Sequence, residues 1–196
     1  MLEMIHAAGW PVWPLVAASV IALAIILERS WSLRARFVVP QGVLESAIAV
    51  AKGAGNPSDL ETTPLGRILA SGIRNSGGTA EHMKQAVEET GRAVAHDLSR
   101  YLTTLGTIAS MSPYLGLFGT TVGMIEIFAA QAPGSSDPAQ LAQGISIALY
   151  NTAFGLIVAI PSMIFYRHFR ARIDSFLVDM EQKALHLVDT INSRKR

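Results

Sequence analysis

The stretch Tyr101–Ile125, YLTTLGTIASMSPYLGLFGTTVGMI, contains no Lys, Arg, Asp or Glu over 25 residues. A helix needs roughly 20 apolar residues to cross about 30 Å of hydrocarbon, so this stretch is long enough to span a bilayer. Met4–Leu27 and Pro138–Tyr166 are equally free of formal charge. A soluble core is the rival reading, but a chain of 196 residues has too little protein to wrap three such helices. The composition agrees, with 50% hydrophobic and 16% charged residues and a mean hydropathy of +0.34. The fold class is therefore an all-α membrane protein with three transmembrane helices.

The cations orient it. All 16 Lys and Arg lie in two windows, Arg29–Arg100 and Arg167–Arg196. Lys and Arg collect on the cytoplasmic side of membrane helices. This predicts an N-out, C-in chain in six segments: an outer N-terminus with the first transmembrane helix (1–31), a cytoplasmic segment (32–100), a second span (101–130), an outer loop (131–140), a third span (141–166) and a cytoplasmic helical tail (167–196). Trp10 and Trp13 at one end of the first span, and Trp31 at the other, suit interface anchors. No Lys or Arg precedes Arg29, so the first span reads as a retained anchor rather than a cleaved leader.

Between the spans, Gly53, Gly55, Asn56 and Pro57, then Gly77 and Gly78, break the inner segment into short pieces. Thr79 is placed to cap a helix, with Glu81 in its first turn. With no Pro from Ala80 to Ser112, one helix is expected to run from about residue 80 into the second span. In the tail, Phe169, Ile173, Phe176, Met180, Ala184, Leu187 and Ile191 recur at spacings of three and four. That stripe predicts a helix packed on neighbouring helices rather than one lying on lipid. Each long helix would measure about 50 residues, or roughly 75 Å, and extend into the cytoplasm. The stripe is also expected to hold subunits together, so Asp at Met180 should dissolve the oligomer.

Spans two and three are rich in Gly, Ala, Ser and Thr. Gly119 and Gly123 form a GxxxG, and Gly155 and Ala159 a small-xxx-small pair. Small residues let helix backbones approach in lipid, within or between subunits. If the connecting loop is centred near residue 136, Thr120 and Thr152 each lie 16 residues from it and share one depth. Thr120 shares a helical stripe with Pro113, Gly116 and Ile127, and Thr152 one with Ile145, Ala148 and Ala159. The plain alternative for each Thr is a hydroxyl bonded back to its own helix.

Ser112-Pro-Tyr-Leu-Gly-Leu-Phe-Gly-Thr-Thr-Val-Gly123 and Gly144-Ile-Ser-Ile-Ala-Leu-Tyr-Asn-Thr-Ala-Phe-Gly-Leu-Ile-Val-Ala-Ile-Pro161 resemble the MotA/TolQ/ExbB proton-channel family, nearest its ExbB branch. The resemblance covers all three spans and the tail. It implies a homopentamer in the inner membrane of a Gram-negative bacterium. Its second and third helices would line a pore around an ExbD- or TolR-like single-span partner. A membrane Asp on that partner would be protonated and released as protons flow inward. The motion would pass to a TonB- or TolA-like protein acting on the outer membrane. The family's pore threonines map onto Thr120 and Thr152, with Thr121, Asn151 and Glu126 as accessory candidates. Gly116, Gly119, Gly123, Gly155, Ala159 and Pro161 are the expected helix-packing positions. One departure stands out. ExbB and TolQ chains usually read Gly-Ile-x-Glu-Ala-Leu where this one reads Gly144-Ile-Ser-Ile-Ala-Leu149, so Ile147 replaces the acid. Glu126, at nearly the same depth on the other span, is a candidate replacement, against the plainer reading of an interfacial carboxylate.

Two other roles compete. One is a TolQ-like subunit of a Tol-Pal motor that maintains the envelope. The other is a membrane scaffold without proton coupling, which the missing acid favours. An enzyme is not expected. His6, His82, His96, His168 and His186 have no metal-ligand spacing, and neither paired carboxylates nor a phosphate loop occurs. No metal or cofactor is implied. Zero cysteines exclude disulfide and thiol chemistry, and a net charge of +1 gives nucleic acid nothing to bind.

Overall fold

The protein is described by a computed structural model over residues 10–130 and 138–194. Among the described residues, seven α-helices follow in order: α1 (Val12–Ser32), α2 (Ala35–Val38), α3 (Val43–Ala51), α4 (Pro64–Arg74), α5 (Ala80–Leu98), α6 (Leu102–Ala130) and α7 (Pro138–Ser193), with a 3₁₀ turn at Pro57–Leu60. No strand occurs among the described residues. Among the described residues, three helices are long and apolar enough to cross a membrane: α1, α6 and α7. The helix of the first span starts at Val12 and runs past Leu27 to Ser32; the part expected from Met4 to Gly9 lies outside the described residues, as does most of the expected outer loop.

Contacts sort the chain into two units, Met1–Glu28 with Tyr101–Arg167, and Arg29–Arg100 with His168–Arg196. Of the 16 Lys and Arg, only Arg167 belongs to the first. The polar and apolar halves of the sequence are thus also its packing units.

The second unit is built around α4. Leu65, Ile68, Leu69, Ala70 and Ile73 are all buried. Thr63 caps α4 by accepting a hydrogen bond from the Gly66 amide at 3.1 Å, and Pro64 suits the first turn. A Cβ on Gly72 would lie 3.2 Å from Val87 of α5 and 3.9 Å from Leu187 of α7, so α4 packs between those helices. Ser71 adds a polar tie, its Oγ donating to Ile68 O at 2.8 Å within reach of Ala86 O at 3.3 Å. Arg67 donates to Asp97 at 2.8 Å, and this hydrogen bond holds the Asp97 carboxyl below its ordinary value. A lowered folded pKa makes the tie effective above the usual carboxylate range and lost as pH falls through the shifted value. Thr79 caps α5 as expected, accepting from the His82 amide at 3.2 Å.

The tail stripe is helical and packed, as its spacing predicts, but its partner is this chain itself. Met180, Ala184 and Leu187 are fully buried within one protomer. Asp at Met180 would therefore strike the protomer's own fold first, not an oligomer seam. Met180→Ala should destabilise this unit by about 2–5 kcal/mol through lost transfer energy and a cavity, read as earlier thermal unfolding. Gly91 of α5 meets nothing within 4 Å. Gly91→Ala should stabilise by up to about 1 kcal/mol, because Ala loses less backbone entropy in a helix.

The continuous helix expected from residue 80 into the second span is instead two helices. Between α5 and α6, Tyr101 adopts a left-handed φ of 64°, which costs a non-glycine residue about 1–2 kcal/mol. A tertiary bond replaces part of the lost ladder. In an unbroken helix the Leu98 carbonyl would accept from the Leu102 amide; here it accepts from the buried Arg29, Nη1 donating at 3.2 Å. A guanidinium at a helix C-terminus also meets the negative end of the helix dipole. α6 then starts afresh, the Leu105 amide donating to Tyr101 O at 3.0 Å.

Candidate functional site

α6 and α7 meet along the small residues of both. A Cβ on Gly155 would lie 2.6 Å from Ser112 O and 3.1 Å from Gly116 Cα. One on Gly116 would lie 2.7 Å from Asn151 O. Main chain thus rests on main chain, which only glycine allows. Gly119 faces Asn151 at 2.9 Å, Gly123 faces Ala148 at 3.2 Å, and Gly144 faces Ile127 at 2.8 Å, measured from the same ideal Cβ. The GxxxG therefore packs within the protomer. This pairing register matches a turn centred near residue 136. Ala159 is buried, and α7 runs through Pro161, which is exposed.

The threonine pair sits in this seam. Thr120 Oγ1 lies 2.5 Å from Thr152 Oγ1, 3.1 Å from Ala148 O and 3.2 Å from Gly116 O. Ala148 precedes Thr152 by one helical turn, so its carbonyl is the one to which Thr152 would bond back. Thr120 reaches that carbonyl from the other helix. The self-bonded reading thus holds for Thr120 only in part, its Gly116 contact, and the pair bridges the helices. Each hydroxyl has one proton and can also accept. Either can donate to the other, and both members are half-buried.

The accessory candidates divide. Asn151 joins the seam, 1% exposed against Gly119. Thr121 points elsewhere, exposed and bonded back to Leu117 O at 3.0 Å. Glu126 is exposed, and the residue it adjoins, Ile127, is the one placed against Gly144. Ile147 is half-buried. Two further hydroxyls escaped the sequence reading: Ser112 and Ser162, each 1% exposed. Both are bonded back to their own helices, Ser112 to Ile108 O and Ser162 to Val158 O, each at 2.7 Å. Ser112 lies four residues before Gly116, and that spacing was the available signal. Among the described residues, no group of three His, Cys, Asp or Glu is placed to hold a metal ion.

Residues 60–182 match the MotA/TolQ/ExbB proton channel family. The chain belongs to that family. An ExbB-like biopolymer transport protein of Synechocystis sp. is 34% identical over 183 residues, covering 84% of this chain and 82% of the relative. The biopolymer transport protein exbB1 of Vibrio cholerae is 30% identical over 166 residues, 79% of this chain and 72% of that one. An ExbB homolog of Methanothermobacter thermautotrophicus is 29% identical over 187 residues, 92% and 67% of the two chains. The stretch matching the MotA/TolQ/ExbB family holds α4, α5, the whole α6–α7 seam and the buried tail residue Met180. It does not include α1. As a family member the chain is a membrane-embedded proton-channel subunit, and its bridged threonines join Asn151 as polar groups in the seam between its second and third apolar helices.

Proposed function

We propose that this chain is the channel subunit of a proton-driven motor in a Gram-negative inner membrane. Several copies, five by family resemblance, surround the membrane helix of an ExbD- or TolR-like partner. Thr120 and Thr152 line the proton path. The chain lies N-out and C-in, and the motion energises a TonB-like protein. The observation that carries this reading is the Thr120–Thr152 bridge. A partner carboxylic acid inside a membrane is costly unless it meets polar groups, and a hydroxyl pair able to donate and accept supplies them. The relatives' names, biopolymer transport proteins, favour the ExbB role over that of TolQ. Ile147 favours a second reading, a scaffold without proton coupling.

One experiment separates the two. The chain is co-purified with the single-span partner from the neighbouring reading frame and reconstituted into vesicles with a pH gradient and a pH-sensitive dye. Inward proton flux above that of empty vesicles, abolished when the partner's membrane Asp is changed to Asn, supports the channel. Flux equal to that of empty vesicles supports the scaffold.

A further inference from the structure

A cationic, aromatic surface lies just where α1 ends. Trp31 is 60% exposed and Phe37 43% exposed, with Arg34 and Arg36 between them, also exposed. The guanidinium of Arg34 lies 4.5 Å from the Trp31 ring centre. That of Arg36 lies 5.9 Å from Trp31 and 4.6 Å from Phe37. Buried Leu33 and Val38, at 2% and 1% exposure, anchor the turn and short α2 from below. The outward set is therefore held in place rather than free to collapse.

A guanidinium stacked on a ring by its face keeps its N–H edge available, and that edge matches phosphate in a two-pronged geometry. Among the described residues, neither Arg34 nor Arg36 forms an ion pair with a carboxylate. Arg67, Arg74, Arg92 and Arg170 of this unit instead pair with Asp97, Glu61, Glu88 and Asp174; exposed Arg172, 5.7 Å from the Phe176 ring centre, and exposed Arg194 resemble Arg34 and Arg36 in forming no ion pair among the described residues. The apolar side of the surface is equally specific. Trp31 is part of α1, an apolar helix long enough to cross a membrane.

We propose that Trp31, Arg34, Arg36 and Phe37 form a binding site for an anionic phospholipid. Its phosphate would sit against the two guanidinium edges and its acyl chains along Trp31. The proposal requires only that α1 spans a membrane, so it stands or falls independently of proton coupling. Each arginine near an anionic surface is worth about a fivefold preference, so the pair should select phosphatidylglycerol over phosphatidylethanolamine by roughly 25-fold.

The test is native mass spectrometry of the full chain in micelles holding equal amounts of the two lipids. The expected result is roughly 25-fold more retained phosphatidylglycerol. That preference should fall to near parity in R34Q/R36Q, weaken in W31L, and persist in R92Q, whose arginine is already paired. Parity in the unaltered protein, or an unchanged preference in R34Q/R36Q, overturns the proposal. So does full displacement of the lipid by millimolar glycerol 3-phosphate, which would make the site one for free phosphate.

Discussion

Thr152→Val is expected to lower proton flux through the reconstituted complex to about one-hundredth or less, the smallest typical loss when a positioned proton-transfer group is removed. Valine keeps the shape of threonine, so the seam around Gly116 and Gly155 can still close. What is lost is the hydroxyl 2.5 Å from Thr120 Oγ1. Thr120 would retain the Gly116 and Ala148 carbonyls as acceptors, and so would keep its place without its hydroxyl partner. Thr152→Ser restores the hydroxyl and should restore flux. Thr121→Val should have no effect, because that hydroxyl is bonded back to Leu117 O on the exposed side. Normal flux in Thr152→Val at normal expression would remove the pair from the proton path.

Gly155→Val is expected to prevent α6 and α7 from closing at all. Even the first added carbon would lie 2.6 Å from Ser112 O and 3.1 Å from Gly116 Cα, both backbone atoms that no side-chain rotation can move. The helices would have to separate by an ångström or more, breaking the Thr120–Thr152 bridge. We expect little protein to accumulate, and what survives should fail to form a disulfide between cysteines placed at Gly123 and Ala148. Gly77→Val is the control, since nothing lies within 4 Å of Gly77. If Gly155→Val accumulates and cross-links like the unaltered chain, the close approach of the two helices is wrong.

Much of the membrane half could be read before any coordinates. A run without charge signals a span, because each formal charge in hydrocarbon costs kilocalories. The level placement of Thr120 and Thr152 followed from counting outward from one turn, since antiparallel helices rise equally per residue. The break at Tyr101 could not be read in this way. Neither Gly nor Pro marks it, and the bond that replaces part of the helix ladder comes from Arg29, 69 residues earlier. The owner of the tail stripe was equally hidden. Spacing shows that Met180 and Leu187 must be covered, but not whether the covering helix belongs to the same chain. α4 was missed as a core helix because its burial depends on residues supplied from α5 and α7. The seam's fine chemistry was only half legible: that Thr120 would take the Ala148 carbonyl is a matter of ångströms, not of residue spacing.

The position of α4 also has a consequence in time. Gly72 is packed against Leu187, which lies 115 positions later in the chain. At a synthesis rate of about 5–20 residues per second, roughly 6–23 s pass between the emergence of the two. Throughout that interval α4 lacks the α7 surface that meets it at Gly72, while the last apolar span is still being made. The newborn chain therefore carries a sticky helix through most of its insertion. A ribosome pause before Leu187 would lengthen that exposure, and holding chaperones should bind the nascent chain most strongly at α4.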